Sequence, residues 1–406
     1  MKIIVQKYGG SSVATTDKIR TIANKVAKKV NAGYKLVVVL SAMGKTTDGL
    51  ISLAEEITKS PDAREMDMLL STGEQVTVAL FAITLKEMGL SAISVNGPQA
   101  GIMTDSAHRK AKIVSIDEAR LMRELEKHDV VVLTGFQGFN ERGDITTLGR
   151  GGSDLSAVAA AAALKTEHCE IYTDVDGVFT TDPRIVPEAK HIPVISFDEM
   201  LELASSGSKV MQSRSIECGK KYNMPIWVKN TFSDDPNNGT LIKEEDSTME
   251  QVTVRGIALD KKEAKITLKS VKDTPGTAAK VFGMLAEKNI NVDMIVQNSS
   301  SNGNTDLSFT APKEELASVM VTTKEIAKAI NATEFDVNPA IAKVSIVGVG
   351  MKSHAGIAAT MFESLAKAGI NIDMISTSEI KISVIVHEND GEKAVKALHA
   401  AFELDK

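Results

Sequence analysis

The segment after the first predicted strand has residue types that could bind a phosphate. Lys7 and Tyr8 precede Gly9 and Gly10, and a helical pattern begins a few residues later. Glycines let backbone N–H groups approach an anion closely, and a helix N-terminus favours negative charge. Lys7 would add a positive charge there. A plain strand-to-helix turn with a surface lysine has the same sequence, so both interpretations stay open.

A second glycine-rich segment, residues 146–154, leads into an alanine-rich helix predicted over 154–164. Arg150 could clamp a carboxylate through two parallel hydrogen bonds. Ser153 or Asp154 could cap the helix by accepting hydrogen bonds from its first turn. Asp154 could instead orient catalytic groups, but residue type alone favours capping.

Three more segments carry charged residues that could act on a substrate. The spacing predicts a helix over 72–88, so Glu74 is either a favourable acidic residue near the helix start or a carboxylate that receives a substrate ammonium. Residues 172–184 contain three aspartates and Arg184, which could hold a nucleotide or Mg²⁺, or only form turns. Lys209 lies just beyond a helix predicted over 197–206.

Two common nucleotide-binding motifs are incomplete. Residues 43–46 end like a P-loop, but Val39 occupies the position of its first glycine. Residues 149–154 begin like a dinucleotide fingerprint, but Asp154 would turn a carboxylate toward the pyrophosphate. The sequence therefore excludes both.

Short apolar runs alternate with helical stretches up to about residue 232, which is typical of a mainly parallel sheet covered on both faces. The predicted strands include 3–5, 36–40, 92–95, 130–133, 171–173 and 226–228, and the helices 17–32, 72–88, 117–127, 154–164 and 197–206. Residues 233–239 are dense in turn formers. A long hairpin connection would also suit them, but the change of pattern beyond favours a linker.

The last third contains an internal repeat. Residues 276–295 and 356–375 are identical at 11 of 20 positions without a gap. Each copy predicts a strand, a helix, a strand starting at Ile290 or Ile370, another strand and a second helix. Residues 335–337 would complete the first sheet and the run 252–258 the second. The first unit would then be inserted within the second.

Composition excludes several classes of protein. With 406 residues, 43% hydrophobic and 25% charged, the chain is globular with two or three domains. A net charge of -6 and 4% aromatic residues argue against a nucleic-acid partner. Two cysteines are too few for a disulfide framework, and no CxxC or HExxH occurs. With no signal-peptide pattern and no apolar run near ~20 residues, we expect a cytoplasmic protein without a membrane partner.

Together these segments resemble those of the aspartate kinases, in the amino-acid kinase superfamily. In order along the chain, the matching motifs are KYGGSS, SAMGKTTD, STGEQ, GFQG, TTLGRGGSD, YTDVDGVFTTDPR and GSKVMQSRS, and the repeat resembles tandem ACT domains. The resemblance implies an α/β protein: a three-layer amino-acid kinase fold with a mainly parallel sheet, then two interleaved ferredoxin-like βαββαβ ACT domains. The implied domains are 1–245 for catalysis, 264–338 for the first ACT domain, and 250–263 plus 339–406 for the second.

The resemblance also implies phosphoryl transfer from ATP with Mg²⁺ to the side-chain carboxylate of L-aspartate, the first step toward lysine, threonine and methionine. The implied catalytic residues are Lys7, Asp154 and Lys209. The implied ATP-binding residues are Lys7, Gly9, Gly10, Thr173, Asp174, Phe179, Asp182, Arg184 and Lys209. The implied aspartate-binding residues are Ser41, Thr47, Glu74, Arg150, Gly151, Gly152 and Ser153. No metal site made by protein alone is expected. A carboxylate nucleophile is already ionised at neutral pH, so a general base is not required.

By the same resemblance, the repeat binds an amino-acid effector, lysine and/or threonine. The implied effector-binding residues are Asp273, Asn291, Asp293, Gln297, Asn371, Ile372, Ser378 and Glu379. These polar groups could supply the donors and acceptors that an amino acid needs. The alternative, that the repeat mediates only dimer packing, is compatible with binding. The implied assembly is a homodimer through the ACT domains, or a complex with a small regulatory subunit translated from Met249.

Two other functions compete with this one. The chain could be another amino-acid kinase-fold enzyme that phosphorylates glutamate or a nucleotide, or a catalytically silent amino-acid sensor. The repeat and the RGGSD segment argue against the first, and the intact lysine and aspartate motifs argue against the second.

Overall fold

A computed structural model describes residues 1–208, 210–233, 235, 238–245, 253–297, 303–332, 334–352, 354 and 356–406. These residues form two compact units. The first contains the described residues of 1–178, 191–204 and 209–248, and the second those of 179–190, 205–208 and 249–406. Lys209, Val252 and Met249 lie outside the described residues.

The first unit alternates strands and helices as predicted. Its helices are α1 (Thr16–Asn31), α2 (Thr46–Ile57), α3 (Ala63–Glu87), α4 (Gly97–Ala100), α5 (Glu118–Lys127), α6 (Gly152–Ala163), α7 (Phe197–Ser205) and α8 (Ser213–Tyr222). The strands up to the end of this unit are β1 (Lys2–Tyr8), β2 (Tyr34–Leu40), β3 (Ala92–Val95), β4 (Ile102–Thr104), β5 (Ile113–Ile116), β6 (Val130–Thr134), β7 (Gln137–Phe139), β8 (Ile145–Thr147), β9 (Cys169–Thr173), β10 (Val178–Phe179), β11 (His191–Ile192), β12 (Val194–Ser196), β13 (Ile226–Asn230) and β14 (Thr240–Lys243).

An eight-stranded sheet forms the middle layer of the first unit, in the order β12-β14-β13-β9-β1-β2-β6-β3. Neighbouring strands are parallel except β13 and β14. On one face, α1 and α3 bury apolar residues against β1, β2 and β6. On the other face, the alanine-rich α6 packs on β1 and β9. This confirms the three-layer α/β prediction.

Helix α3 begins earlier than the sequence predicted. Asp62 caps it, and its side chain accepts hydrogen bonds from the backbone of Arg64 and Glu65 at 3.0 and 3.1 Å. The helix therefore runs through residues 63–71, and Glu74 lies in its interior. The prediction that Glu74 stands near a helix start was wrong because the capping signal at Asp62, twelve residues before Glu74, was overlooked.

By length and composition, α3 is the one helix among the described residues that could cross a membrane. This corrects the expectation that no apolar stretch is long enough. However, its buried residues include Asp67 and Glu74, and it packs on β3, β6 and β8. Both charged groups have hydrogen-bond partners within this unit. These features are those of a core helix.

The turn-rich segment after β13 is a hairpin connection, not the predicted linker. Ile226, Trp227 and Val228 of β13 pair antiparallel with β14, so the main sheet continues past residue 239. Gly239 has a φ of +146°, and a Cβ there would lie 2.5 Å from the carbonyl oxygen of Val228. The segment 231–239 thus connects two neighbouring strands of one sheet.

The second unit contains two four-stranded antiparallel sheets. Its strands are β15 (Gly256–Asp260), β16 (Glu263–Lys272), β17 (Ile295–Gln297), β18 (Asn304–Pro312), β19 (Glu334–Asn338), β20 (Ile341–Val347), β21 (Met374–Thr377) and β22 (Lys381–His387). Its helices are α9 (Thr277–Glu287), α10 (Leu316–Ala329), α11 (Ile357–Lys367) and α12 (Gly391–Ala401). The sheet orders are β17-β18-β16-β19 and β15-β20-β22-β21.

The interleaving of the two repeats is confirmed. β19 pairs with β16 of the first copy, and β15, which precedes the first copy in sequence, pairs with β20 of the second. The helices of each copy cover one face of its sheet with apolar residues. Two strands begin later than predicted, at Ile295 and Met374, since Ile290 and Ile370 are already buried in these cores before the ladders start.

Candidate active site

Lys7 and Asp154 form the central ion pair of the first unit. Lys7 is on β1, Asp154 is in the first turn of α6, and Lys7 Nζ lies 2.5 Å from Asp154 Oδ1. The side chains are 12% and 11% exposed, so little water screens the pair. The pair holds the ammonium of Lys7 beside the glycine turn that follows β1.

Gly9 and Gly10 leave room beside this lysine. A Cβ on Gly9 would lie 3.5 Å from Lys7 Nζ, and one on Gly10 would lie 2.8 Å from the carbonyl oxygen of Ala42. The carbonyl of Gly10 accepts a hydrogen bond from Gly44 N at 3.0 Å, which fixes the turn against the loop after β2. A cation beside two glycines suits a phosphate group in chemistry and in space.

A chain of hydrogen bonds connects three of the predicted aspartate-binding residues. Ser41 Oγ donates to Ser153 Oγ at 3.0 Å, and Ser153 Oγ donates to Glu74 Oε1 at 3.1 Å. The other carboxylate oxygen of Glu74 accepts from Phe136 N at 2.9 Å. The structure thus brings together residues from the loop after β2, from α3 and from α6 that are far apart in sequence.

Glu74 is 1% exposed, and this burial raises its pKa to about 8. Hydrogen bonds from Phe136, Ser153, Gly135 and Gln137 oppose the effect but do not cancel it. Burial disfavours the charged carboxylate because the interior solvates it poorly. An arriving ammonium would favour the ionised form again.

Gly135 is required where Glu74 and Ser153 meet. A Cβ at this position would lie 2.4 Å from Ser153 Oγ and 3.0 Å from Glu74 Oε1. The sequence showed this residue only as part of the GFQG motif. Its role depends on the close approach of three distant segments, which the residue types do not reveal.

Helix α6 is not capped by Ser153 or Asp154, which corrects the sequence interpretation. Gly151 is the N-cap with a φ of +71°, no side chain caps the helix, and both residues already belong to its first turn. Asp154 pairs with Lys7 instead. Gly152 allows the turn to pack closely, since a Cβ would lie 2.9 Å from Cβ of Phe136.

The remaining predicted residues of the first unit are more open to solvent. Arg150 is exposed, and Thr47 in the first turn of α2 is half-buried. Thr173 is half-buried at the end of β9, and its Oγ1 donates to Asp174 Oδ1 at 3.2 Å. Thr173 also accepts a backbone hydrogen bond from Thr231 at 2.8 Å.

Three predicted ATP-binding residues belong to the second unit. In that unit, Arg184 Nε donates to Asp182 Oδ1 at 2.9 Å, and Arg184 Nη2 donates to Asp182 Oδ2 at 2.6 Å. The side chain of Arg184 is 83% exposed. Phe179, at the end of β10, is half-buried. Lys209 lies outside the described residues, so its predicted role rests on sequence alone.

Asp67 was not among the residues predicted from the sequence. It is fully buried on α3 and accepts hydrogen bonds from His108 Nδ1 at 2.7 Å, Thr147 Oγ1 at 2.6 Å and Arg109 N at 3.1 Å. Thr147 precedes the RGGSD segment by only a few residues, so Asp67 helps to position it. The available signal was an aspartate in the middle of an otherwise apolar helical pattern.

The predicted effector residues all lie in the second unit, and most are exposed. Gln297 Nε2 donates to Asp273 Oδ1 at 3.5 Å, and Asp293 pairs with Lys343 of β20. Ile372 is partly buried against the core of the second repeat.

Within the described part of the chain, no group of three or more His, Cys, Asp and Glu side chains could hold a metal ion.

Fold and site together define a class of enzyme. The model of the amino acid kinase family matches residues 2–230, and the ACT domain model matches residues 269–334 and 344–402. The first match covers the unit with Lys7, Glu74 and Asp154, and the second covers the two repeats. The molecule is thus an amino-acid kinase with C-terminal ACT domains, and as a kinase of this family it uses ATP.

Comparison with similar proteins indicates which amino-acid kinases this chain resembles. The chain is 53% identical to the aspartate kinase of Pseudomonas putida over 406 residues, with 100% of this chain and 98% of that protein covered. It is 49% identical to the aspartokinase of Helicobacter pylori, with both chains fully covered. E. coli aspartokinase III in complex with aspartate and ADP superposes with a TM-score of 0.82 at 27% identity, over 98% of this chain and 99% of that one. The chain belongs to the aspartate kinase family.

Proposed function

We propose that this chain transfers the terminal phosphoryl group of ATP to the side-chain carboxylate of L-aspartate, giving 4-phospho-L-aspartate and ADP. In this proposal the product enters lysine, threonine and methionine synthesis in the cytoplasm. The observation that carries the proposal is the Lys7–Asp154 pair beside Gly9 and Gly10. This pair adjoins the hydrogen-bonded chain Glu74–Ser153–Ser41, because Ser153 and Asp154 are consecutive residues. The first group suits a phosphate and the second suits an amino acid.

Lys7 would bind the transferring phosphoryl group, and Asp154 would hold the lysine in place. The negative charge of that group grows on its outer oxygens during transfer, and a fixed ammonium stabilises it without reorganisation. Mg²⁺ bound to the phosphates would supply further positive charge. The nucleotide would be held by Gly9 and Gly10 and by the set Thr173, Asp174, Phe179, Asp182, Arg184 and Lys209.

The aspartate would be held by its own charges. Glu74 would accept its ammonium, and Arg150 would clamp a carboxylate through two hydrogen bonds. Ser41, Thr47, Gly151, Gly152 and Ser153 would complete the site. The substrate carboxylate is already ionised at neutral pH, so the site has to position it and needs no base. The aspartate and ADP in the E. coli enzyme support this choice of substrates.

For regulation, we propose that lysine and/or threonine bind at the repeats through Asp273, Asn291, Asp293, Gln297, Asn371, Ile372, Ser378 and Glu379. The lysine and aspartate in a second E. coli aspartokinase III structure, with a TM-score of 0.76 at 27% identity, support an amino-acid effector. The contact of Gln297 with Asp273 joins two of these residues. Binding would inhibit the kinase by favouring one of two states.

The proposed assembly is a homodimer through the ACT domains. β17 and β21 are edge strands, and Ile295 and Ile375 on them are 47% and 44% exposed. Exposed apolar edges of this kind can pair with another chain. Assembly with a small subunit started at Met249 is the alternative. We propose the domain limits 1–245, 264–338, and 250–263 plus 339–406.

An aspartate-dependent hydroxamate assay tests the proposal. With MgATP and aspartate we expect acyl phosphate to accumulate, and glutamate in place of aspartate should give little product. Addition of lysine, threonine or both should reduce the rate. Turnover of glutamate or a nucleotide in preference to aspartate would refute the substrate, and no ATP turnover would favour a silent sensor. Lack of any response to lysine, threonine or methionine would refute the regulatory part.

A further inference from the structure

A cavity of about 450 Å³ lies in the first unit, over the strand ends of β1, β9 and β13. Its walls carry the rings of Tyr34 and Tyr172 and the amides of Asn230 and Asn238. This volume is within the range of small-molecule sites. The stacked rings of Tyr8 and Tyr172, with centroids 4.6 Å apart, form a rigid floor.

The cavity is strongly basic. Among the described residues, Lys25, Lys28, Lys29 and Lys229 line it together with one carboxylate, Asp235. A further carboxylate, Glu170, lies beneath and is 1% exposed. Low-dielectric walls with one sign of charge concentrate the field inside such a space.

Glu170 does not neutralise this charge. Burial alone would raise its pKa, but a hydrogen bond from His168, the charge of Lys229 and a hydrogen bond from Gln6 hold that pKa below its ordinary value. Lys229 Nζ lies 3.2 Å from Glu170 Oε1, so the buried carboxylate is matched mainly by that lysine. Among the described lining residues, the other three lysines outnumber the one carboxylate, Asp235, and Lys25 Nζ also donates to the carbonyl oxygens of Thr231 and Ser233.

The cavity and the proposed phosphoryl-transfer site lie on opposite faces of the main sheet. Successive side chains of a strand point to opposite faces. Gln6 and Tyr8 face the cavity on the side of α1, whereas Lys7 between them pairs with Asp154 of α6. However, the cavity and the proposed catalytic site share strands. On β9, Tyr172 lines the cavity and directly precedes Thr173, a proposed nucleotide-binding residue.

We propose that this cavity, which we call the basic cavity, binds a small phosphorylated metabolite. Phosphate oxygens would contact the lysine ammonium groups, and the organic part would lie between the tyrosine rings and the asparagine amides. Lysine ammonium groups form charge-assisted hydrogen bonds with phosphate, and flat rings supply apolar contact area. The occupant would act through β1 and β9, on the kinase unit itself and independently of the ACT repeats.

The test uses inorganic pyrophosphate as the probe and calorimetry on the full-length protein, with the catalytic site saturated by ADP, Mg²⁺ and aspartate. We expect one additional site in the wild type. In the double variant Lys28→Gln/Lys29→Gln, the affinity should fall at least about tenfold, since two charge-assisted contacts are lost. Hydrogen exchange should show protection by pyrophosphate at residues 28–34.

The control is Lys86→Gln/Lys127→Gln, which changes the net charge equally at two exposed lysines outside the cavity lining. Its affinity should stay within about twofold of the wild type, and the melting temperature and basal kinase rate of both double variants should be unchanged. Equal weakening in the control, absence of an additional site, or protection elsewhere would overturn the proposal. Equally tight binding of citrate would overturn the preference for phosphate. Because the basal rate is measured separately, a failure here is distinguishable from a failure of the proposed kinase activity.

Discussion

At the scale of single residues, the site depends on two charged groups placed in different surroundings. Lys7 is half-buried and paired with Asp154, so its ammonium is fixed before any phosphate arrives. Glu74 is buried, its described partners are hydrogen-bond donors, and its pKa is raised. The ammonium of Lys7 is positioned to bind an anion, whereas the carboxyl group of Glu74 would become fully ionised when a cation binds.

Replacing Lys7 tests the first of these roles. We expect Lys7→Ala to lose most of its turnover, by about a hundredfold or more, because a preorganised charge at the developing phosphate is removed. The variant should still fold, but its melting temperature should fall, because the buried carboxylate of Asp154 loses its cation. Lys2→Ala is the matched control, since Lys2 is exposed on the same strand. Near-normal turnover of Lys7→Ala in the hydroxamate assay would remove this lysine from the mechanism.

The raised pKa of Glu74, about 8, predicts a pH dependence of aspartate binding. Below that pH the carboxyl group is mostly neutral and must release a proton before it can pair with an ammonium. The KM for aspartate should therefore fall as the pH rises from about 6 to about 8, by up to about tenfold per pH unit, and then level off. Initial rates at a series of aspartate concentrations measure this.

Two variants on α3 assign this pH dependence: Glu74→Gln removes the proposed titrating group, and Glu87→Gln is the control. Glu74→Gln should raise KM and remove its pH dependence, because an amide does not titrate. Glu87→Gln, at the exposed end of the same helix, should behave like the wild type. A KM profile that keeps its slope in Glu74→Gln would assign the titration to another group.

At the scale of elements, α3 connects the site to the fold. One buried face packs on the sheet, and Asp67 and Glu74 on it hold the segments that precede and form the RGGSD turn. A helix that carries two buried acids is stable only while each has its partners, because an unpaired polar group in the interior is costly.

Asp67→Asn should therefore destabilise the first unit. The amide can accept only through one oxygen, so at least one of the donors His108, Thr147 and Arg109 N loses its partner. We expect a loss of about 2–4 kcal/mol in the free energy of unfolding, measured by urea denaturation. Asp62→Asn is the control, since asparagine caps a helix about as well as aspartate. Equal stability of the two variants would show that the Asp67 network contributes little.

At the scale of the whole molecule, the second unit is built so that its two repeats cannot be separated by one cut. The strand that completes the second sheet comes before the first repeat in the chain. The backbone therefore crosses between the two repeats twice, between β15 and β16 and between β19 and β20. Such a body suits the regulation that we propose, since an effector must bias a shared state.

The effector proposal predicts a separation of inhibition from catalysis. In Asp273→Asn we expect the concentration of lysine or threonine for half-inhibition to rise at least about tenfold, because an ammonium loses a charged acceptor. The kcat without effector should not change. Asp336→Asn, on exposed β19 of the same sheet, is the control. Unchanged inhibition in Asp273→Asn would exclude this residue from the effector site.

The amino-acid sequence by itself determined the elements, the class of fold and the repeat. Apolar runs and helical periods act over a few residues, so six of the eight strands of the main sheet and the interleaved order of the repeats could be predicted, whereas β12 and β14 were not. The motifs also predicted that Lys7, Glu74 and Ser153 carry chemistry. Errors arose where a local signal had two structural solutions: the turn-rich segment 233–239 proved to be a hairpin, and Asp154 pairs with Lys7 instead of capping α6.

The tertiary structure alone decided which groups meet and how much water reaches them. The Lys7–Asp154 pair, the Glu74–Ser153–Ser41 chain and the three partners of Asp67 join segments distant in the chain. The raised pKa of Glu74 and the basic cavity are likewise products of packing. The physical reason is that propensity depends on neighbours in sequence, whereas burial and electrostatic interaction depend on neighbours in space.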